Sequence, residues 1–361
     1  MIKYILLRLL WAFVVLFGIL FTTFVFLKIQ PLEVPAETQA KRVFLHHQFE
    51  YGFMTREFID AIVNPDLAKY WTDVSKDNSN VYVVWQSPKN HNVLIVYTVV
   101  PVMIQFGKWL TNVVTKFDWG YSNAVHNMRP ATSILATAIS FSFKINIFVL
   151  LIEIPIGLAL GIFSAIKKDS VFDNIVQVIV ILFISLPSFV VISLLMKWLG
   201  SDLSWVPYLW PMSDAQPSTQ ALGYVIPVSA MALGAIAGLI RGVRAELSEG
   251  LTSDYVLLAR TKGLTKRQAI YRHALRNSLL PIIPGLIFSF VFLLSGSAII
   301  ERVYGIPGAG AIMLTALQNR DYNIIMLDTA FYGSIGLVCG ILIDITYGFI
   351  DPRIKMGARN V

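Results

Sequence analysis

The sequence predicts an all-α integral membrane protein, and three observations carry that prediction: the scarcity of charge, the length of the apolar runs and the side on which basic residues collect. Charged residues make up 14% of the 361 positions and hydrophobic ones 56%, with a mean hydropathy of +0.65. A soluble domain carries about 25% charged residues, so most of this chain does not face water. Windows of about 20 apolar residues, enough to cross a hydrocarbon core of about 30 Å, predict six transmembrane helices: Tyr4–Ile29, Ser142–Ile166, Ile175–Leu199, Leu222–Arg244, Leu279–Ile300 and Ile324–Ile350. The first is longer than a signal-peptide core of about 7–15 residues and is read as a retained span.

The connections set the orientation. Lys167 and Lys168 flank one turn, whereas Asp202 and Asp214 are the only charges in the next. Arg241 to Arg276 then holds eight basic residues against three acidic ones, and Arg353, Lys355 and Arg359 follow in the tail. Basic residues favour the cytoplasmic side, so both termini and the Arg241–Arg276 stretch are expected there. The net charge of +7 records that bias and an attraction to anionic lipid, and gives no sign of nucleic acid. Cys339 stands alone in an apolar run, which leaves no disulfide framework and no thiolate cluster.

Three regions are expected: a first helix in 1–30, an extracytoplasmic insertion in 31–130, and a core domain in 131–361 with helices 2 to 6 and a cytoplasmic loop, 245–278. The insertion balances nine basic against nine acidic residues between Pro31 and Arg129. Its apolar runs, Val81–Trp85 and Val93–Phe106, suit short strands or an interfacial helix. A seventh span over Val93–Phe106 is rejected because about 14 residues is short for crossing and because it would invert the charge bias downstream.

The loop contains "ARTKGLTKRQAIYRHALRN", Ala259 to Asn277. Ser253 and Asp254 are placed to cap a first short helix, and Gly263 supplies the left-handed residue that ends it. Thr265 with Gln268 forms a capping-box pattern that starts a second helix. On that helix Arg272 and Arg276 share one face, and Tyr271, Leu275 and Ser278 share its neighbour. A basic segment holding lipid headgroups explains the charge but requires neither the glycine nor the caps.

Nothing in the chain predicts catalysis. There is no G-x-x-x-x-G-K-[ST] run, and "GIPGAG" follows no strand of a βαβ unit. His46, His47, His91, His126 and His273 show no metal-ligand spacing on one helix face, so no metal site is expected. Polar groups inside the spans are the default functional candidates. Lys144 is read as snorkelling to the outer end of the second span. Glu153, about 13 Å further along the helix, is too far to pair with it; it faces a translocation cavity, neutralises a cation on a neighbouring helix, or is protonated. Asp344 is read as structural. Pro187 in "SLPSF", Ser185 to Phe189, is expected to kink the third span, which suits either a gate or plain helix packing.

The run "DYVLLARTKGLTKRQAIYRHALRNSLLP", Asp254 to Pro281, resembles the cytoplasmic loop of permease subunits of bacterial ABC importers of the dipeptide/oligopeptide/nickel class. The N-terminal "YILLRLLWAFVVLFGI", "QFGKWLTNVVTKFDWGYS" (Gln105–Ser122), "SLPSF", Arg241 and Arg244, "IPGAG" (Ile306–Gly310), "NRDY" (Asn319–Tyr322) and "DPR" (Asp351–Arg353) extend the resemblance in order and spacing. About Leu32–Ile104 has no counterpart. The resemblance implies a type I ABC importer permease fold in a bacterial cell membrane, forming half of a pathway for di- or oligopeptides, with nickel or another solute as the alternative. It implies a homologous second permease, two ATP-binding subunits and an extracytoplasmic binding lipoprotein or periplasmic protein. ATP and magnesium then belong to the partners, and this chain binds no cofactor and is no enzyme. The loop becomes the element that couples to the ATPases, through Asp254, Tyr255, Ala259, Arg260, Gly263, Leu264, Thr265, His273, Arg276 and Asn277. Leu257 and Leu258 stand where sugar-type permeases carry Glu and Ala, a departure shared by the peptide branch. Glu153 and Pro187 are the pathway candidates, and the insertion is expected to meet the binding protein or the partner permease. Two readings of other classes remain: a membrane scaffold or signalling protein that docks through its basic loop, and a proton-coupled secondary transporter using Glu153.

Overall fold

The computed structural model describes residues 2–29, 32, 34–86, 92–122, 124–125, 129–291 and 296–350. His91, His126 and the closing Asp351–Arg353 with Lys355 and Arg359 lie outside the described residues. The chain divides into two compact units: residues 13–132 with 319–330, and residues 1–12, 133–318 and 331–361.

The first of these units begins in α1 (Ile2–Ile29) and continues through α2 (Thr38–Glu50), β1 (Met54–Asp60), α3 (Pro65–Asp77), β2 (Val81–Trp85), β3 (Val93–Val99) and α4 (Val102–Lys116). The three strands form one antiparallel sheet in the order β1-β3-β2. Register runs from Met54 opposite Val99 to Asp60 opposite Val93, and from Val81 opposite Thr98 to Trp85 opposite Leu94. Valine, isoleucine and tyrosine at period 2 fit a pleated half-buried surface; Leu94 and Val96 point into a core with Ile59, Val81 and Ala68 of α3. The chain is therefore mostly helical, not wholly so. The all-α class rested on the spans, and the unmatched stretch is where it fails. Pro101 precedes α4, and Phe117, at φ 53°, ends it.

The other unit holds the helices that follow as far as residue 318 and the part of the last helix beyond residue 330. α5 (Ala131–Ile166) is followed by α6 (Val171–Ser185) and α7 (Ser188–Leu195), which continues as a π-helical segment to Asp202. The two halves of this third apolar window are bent by 101°. Leu186 is extended (φ −80°, ψ 124°), as the residue before a proline prefers, and Pro187 has no N–H to carry the helix on. The expected kink is thus a complete break.

α8 (Pro217–Leu222) and α9 (Val225–Thr252) lead to the loop helices α10 (Asp254–Thr261), α11 (Lys266–Ala269) and α12 (Leu275–Ser278). Then come α13 (Ile283–Val291), α14 (Ala298–Tyr304), α15 (Ala309–Gln318) and α16 (Tyr322–Ile350). Among the described residues four helices are long and apolar enough to span a membrane, or five if the bent pair counts as one span. The fifth expected helix, Leu279–Ile300, is not continuous: it is divided between α13 and α14, with 292–295 outside the described residues. Pro281 and Pro284 confine α13 to starting at Ile283, because proline is tolerated only in a first turn.

An apolar cluster and an ion pair are among the contacts that tie the helices of this unit. Ile145 and Val149 of α5 pack with Val191 and Ile192 of α7, Ile226 of α9 and Tyr304 of α14. Nearer the loop, Arg244 of α9 donates Nε and Nη2 to the two carboxylate oxygens of Asp173 at 2.7 Å each. Asp173 is fully buried at the start of α6 and also accepts from the Ser164 hydroxyl at 2.6 Å. One carboxylate thus joins α5, α6 and α9.

Candidate functional site

The loop between α9 and α13 is a capped helical turn whose outer face is polar and basic with a few exposed apolar side chains. α10 ends in a two-bond glycine cap: the Gly263 N–H donates to Arg260 O at 3.0 Å and the Leu264 N–H to Ala259 O at 3.3 Å. Gly263 sits at φ +92°, a conformation that costs an L-residue about 1–2 kcal/mol. Thr265 then accepts from the Gln268 N–H at 3.3 Å while Gln268 Oε1 accepts from the Thr265 N–H at 3.0 Å. Both halves of the expected capping box are present. Ser253 occupies the N-cap position of α10 but does not cap it; its hydroxyl donates back to Gly250 O at 2.6 Å.

Small residues weld the loop to the helix ends. Ala259, Ala269 and Ala274 are buried against Ala165 of α5 and Leu247 of α9. A Cβ at Gly250 would collide with the Ser278 hydroxyl and press on that of Tyr255, so α9, α10 and α12 meet at close range. Between α11 and α12 the chain makes a π turn, Ile270–Ala274. This extra residue changes the register that a continuous α-helix would give: Ile270, Ala274 and Ser278 form the buried face, while Tyr271, Arg272, His273, Arg276 and Asn277 are exposed.

The remaining expected site residues fall on both sides of the turn. Asp254 and Arg260 are exposed, Tyr255 is 39% exposed, Leu264 is half-buried, and Ala259 is internal. What the sequence does not single out is Leu257 and Leu258, exposed at 62% and 56%; Tyr271 is exposed at 57%. Their signal in the sequence is two leucines in a basic loop, which the sequence alone does not separate from leucines that pack.

The pathway candidates stand on separate elements. Pro187 stands at the break between α6 and α7, and Glu153 is buried within α5 at 8% exposure. The partly buried Arg244 of α9 is held by Asp173. A cavity of about 590 Å³ is lined instead by Lys144, Phe141, Trp210, Tyr224, Gln220 and Gly305, among others. Lys144 lies 6.0 Å from the Phe141 ring centre and, among the described residues, is the only charged group in that lining.

Two further motifs acquire a structural reason. Glu301 of α14 accepts from the Ser142 hydroxyl at 2.7 Å and from the Ala311 N–H at 3.0 Å. Side chains at Gly296 or Gly308 would collide with its carboxyl, and one at Gly310 with the Ala298 backbone. The "IPGAG" glycines therefore make room for a buried carboxyl. In the other unit, Asp321 of "NRDY" accepts from the Ser122 hydroxyl and from the N–H groups of Ala124 and Val125 at 3.1 and 3.2 Å. Asn323 donates to Tyr121 O at 2.8 Å, against Gly120. "DWGYS" and "NRDY", distant in sequence, form one joint.

Comparison with known proteins places this geometry. Residues 157–356 match the family model described as binding-protein-dependent transport system inner membrane component. The dipeptide transport system permease protein DppB of Bacillus subtilis is 33% identical over 263 residues, 72% of this chain and 82% of that protein. DppB of Lactococcus lactis is 33% identical over 64% of this chain and 74% of its own length. The oligopeptide transport system permease protein OppB of Salmonella typhimurium is 30% identical over 71% and 81%. With a family model covering more than half of its residues and a relative one-third identical over most of its length, the chain belongs to the binding-protein-dependent transport system inner membrane components, the multi-pass permease subunits of ABC transporters.

Proposed function

We propose that this chain is one permease subunit of an ATP-driven importer of di- or oligopeptides, and that Asp254–Asn277 is the lever through which ATP hydrolysis reaches the membrane. The observation that carries the proposal is the pairing of a stiff support with an exposed apolar tip. Two caps and a buried alanine seam fix the turn, while Leu257, Leu258 and Tyr271 project from it. An exposed apolar group on a polar loop marks a docking surface, and a rigid docked element transmits displacement that a flexible loop would dissipate. The peptide substrate is supported by the names of the relatives, which match across most of both chains.

In this reading a homologous permease completes the pathway, two ATP-binding subunits dock beneath the levers, and an extracytoplasmic binding protein delivers substrate. Both termini and the loop are cytoplasmic, following the basic bias, and the sheet-containing insertion stands on the delivery side. ATP-driven closure of the ATPases brings the levers together and shifts the population between inward- and outward-open states. The loop, α9 and α6 move as one piece because Asp173 and Arg244 tie them. The break at Pro187 supplies the joint at which the third span yields. Lys144 in its aromatic-walled cavity joins Glu153 and Pro187 as a pathway residue to examine.

Uptake of labelled di-, tri- and longer peptides by cells with and without this gene tests the proposal. ATP-dependent accumulation of at least one peptide class that vanishes with the gene is expected. Uptake driven by a pH gradient without an ATPase partner, or no change in any peptide, would reject it.

A further inference from the structure

We propose that α4 is an in-plane membrane helix, with Met103, Leu110, Val114 and Phe117 seated among the lipid chains of the leaflet at the Lys28 end of α1. At 100° per residue α4 has three sectors. Gln105, Phe106, Trp109 and Val113 form a buried face. Lys108, Thr111, Asn112 and Thr115 form a polar sector. Between these lies a second apolar stripe with the opposite fate to the first: Met103 is 63% exposed, Val114 74%, and Phe117, just past the helix end, 70%.

The occupant of that stripe follows from depth. Arg8 and Lys28 bound the uncharged stretch of α1, and their separation of 20 residues is about 30 Å along a helix, the thickness of a hydrocarbon core. The ring of Phe106 packs edge-on against Phe17, Phe21 and Phe24 of α1, with centroids 5.6, 5.1 and 5.4 Å apart. Phe21 is seven residues inside Lys28, or about 10 Å along the axis. Phe106 is therefore held below the level of the Lys28 charge, at the depth of about 5–10 Å typical of helices lying in the interface.

The neighbouring surface of α1 is itself apolar and outward, with Phe13 73% and Phe17 50% exposed, so the α4 stripe continues a lipid-facing surface. The polar sector, in which Ile104 is 50% exposed and Lys108 lies against Gly52, leaves Thr111 and Thr115 for headgroups and water. Trp109 and Trp119, whose rings meet at 5.7 Å, sit where aromatic belts form. A helix fixed in this way holds the attached sheet at a set height on the bilayer.

The test is site-directed spin labelling of the full-length chain, purified with its natural subunits and reconstituted in phosphatidylcholine nanodiscs. Nitroxides are placed by Met103→Cys, Val114→Cys, Thr115→Cys and Phe13→Cys, with the buried Cys339 left in place and the unsubstituted chain as blank. Each site is exposed, so labelling does not disturb a core. Oxygen, which concentrates in lipid, is expected to collide more often than a water-soluble nickel chelate at positions 103 and 114, matching position 13, with the order reversed at 115. Relaxation of the 114 label by a doxyl-lipid gives an independent second reading. Nickel dominance at 103 and 114 would mean water, and protection from both reagents would mean a protein cover; either overturns the proposal.

Discussion

Single residues decide whether the loop keeps its shape and whether anything can hold it. Gly263→Val places a β-branched residue at φ +92°, at a cost of about 1–2 kcal/mol, and should uncouple ATP hydrolysis from uptake while the chain remains in the membrane. A cysteine-free background is not needed to see this; uptake and ATPase rate in reconstituted vesicles suffice. Leu257→Asp with Leu258→Asp should leave melting unchanged, because both side chains are exposed, yet abolish retention of the ATPase subunits. Asp173→Ala should instead lower stability, by about 3 kcal/mol or more, since removal of one partner leaves a charge unpaired; thermal unfolding in detergent checks it. At this scale the sequence was legible where chemistry is local. A left-handed glycine and a Thr-x-x-Gln box have few other uses, and both stand where expected. Ser253 was misread because its hydroxyl had a competing acceptor, Gly250 O. Asp173 went unnoticed because its partner lies 71 residues away.

Elements are legible to the degree that length and hydropathy are unique to them. α1, α9 and α16 match their windows because about 20 consecutive apolar residues have no other stable setting than a span. The fifth window fails for the opposite reason: its composition is apolar, but Pro281, Pro284 and Gly296 fix where helix can form. The strands could not be separated from a helix by composition, since a run such as "VLIVYTV" suits either; pairing of β3 with β1 across 33 residues or more settles it. The π turn, Ile270–Ala274, leaves no trace in composition at all, yet it decides which loop residues face outward. Gly308→Ala is predicted to damage an element and not a residue. The added methyl collides with the Glu301 carboxyl, which should push α14 off Ser142 and reduce uptake, with partial recovery in Gly308→Ala combined with Glu301→Ala. Uptake by the single and double variants measures that coupling.

At the scale of the whole molecule the account concerns assembly. The core carries the family match from residue 157 onward, while the sheet between β1 and β3 belongs to the stretch with no counterpart in the resemblance. Replacing residues 38–99 by a short Gly/Ser linker should therefore spare retention of the ATPases and reduce delivery by the binding protein, read as uptake at limiting peptide concentration. Composition made the membrane class plain, and the ordered motifs made the family plain, because both sum over hundreds of residues. Partner surfaces were less legible, since a leucine that docks and a leucine that packs are the same letter.

The central claim is that Asp254–Asn277 receives the work of ATP hydrolysis through an exposed apolar tip, and affinity purification of the tagged full-length chain tests it most directly. ATPase subunits are predicted to accompany the unsubstituted chain and to be lost from the Leu257→Asp, Leu258→Asp variant at equal membrane abundance. Equal recovery of the ATPases with both chains would contradict the account.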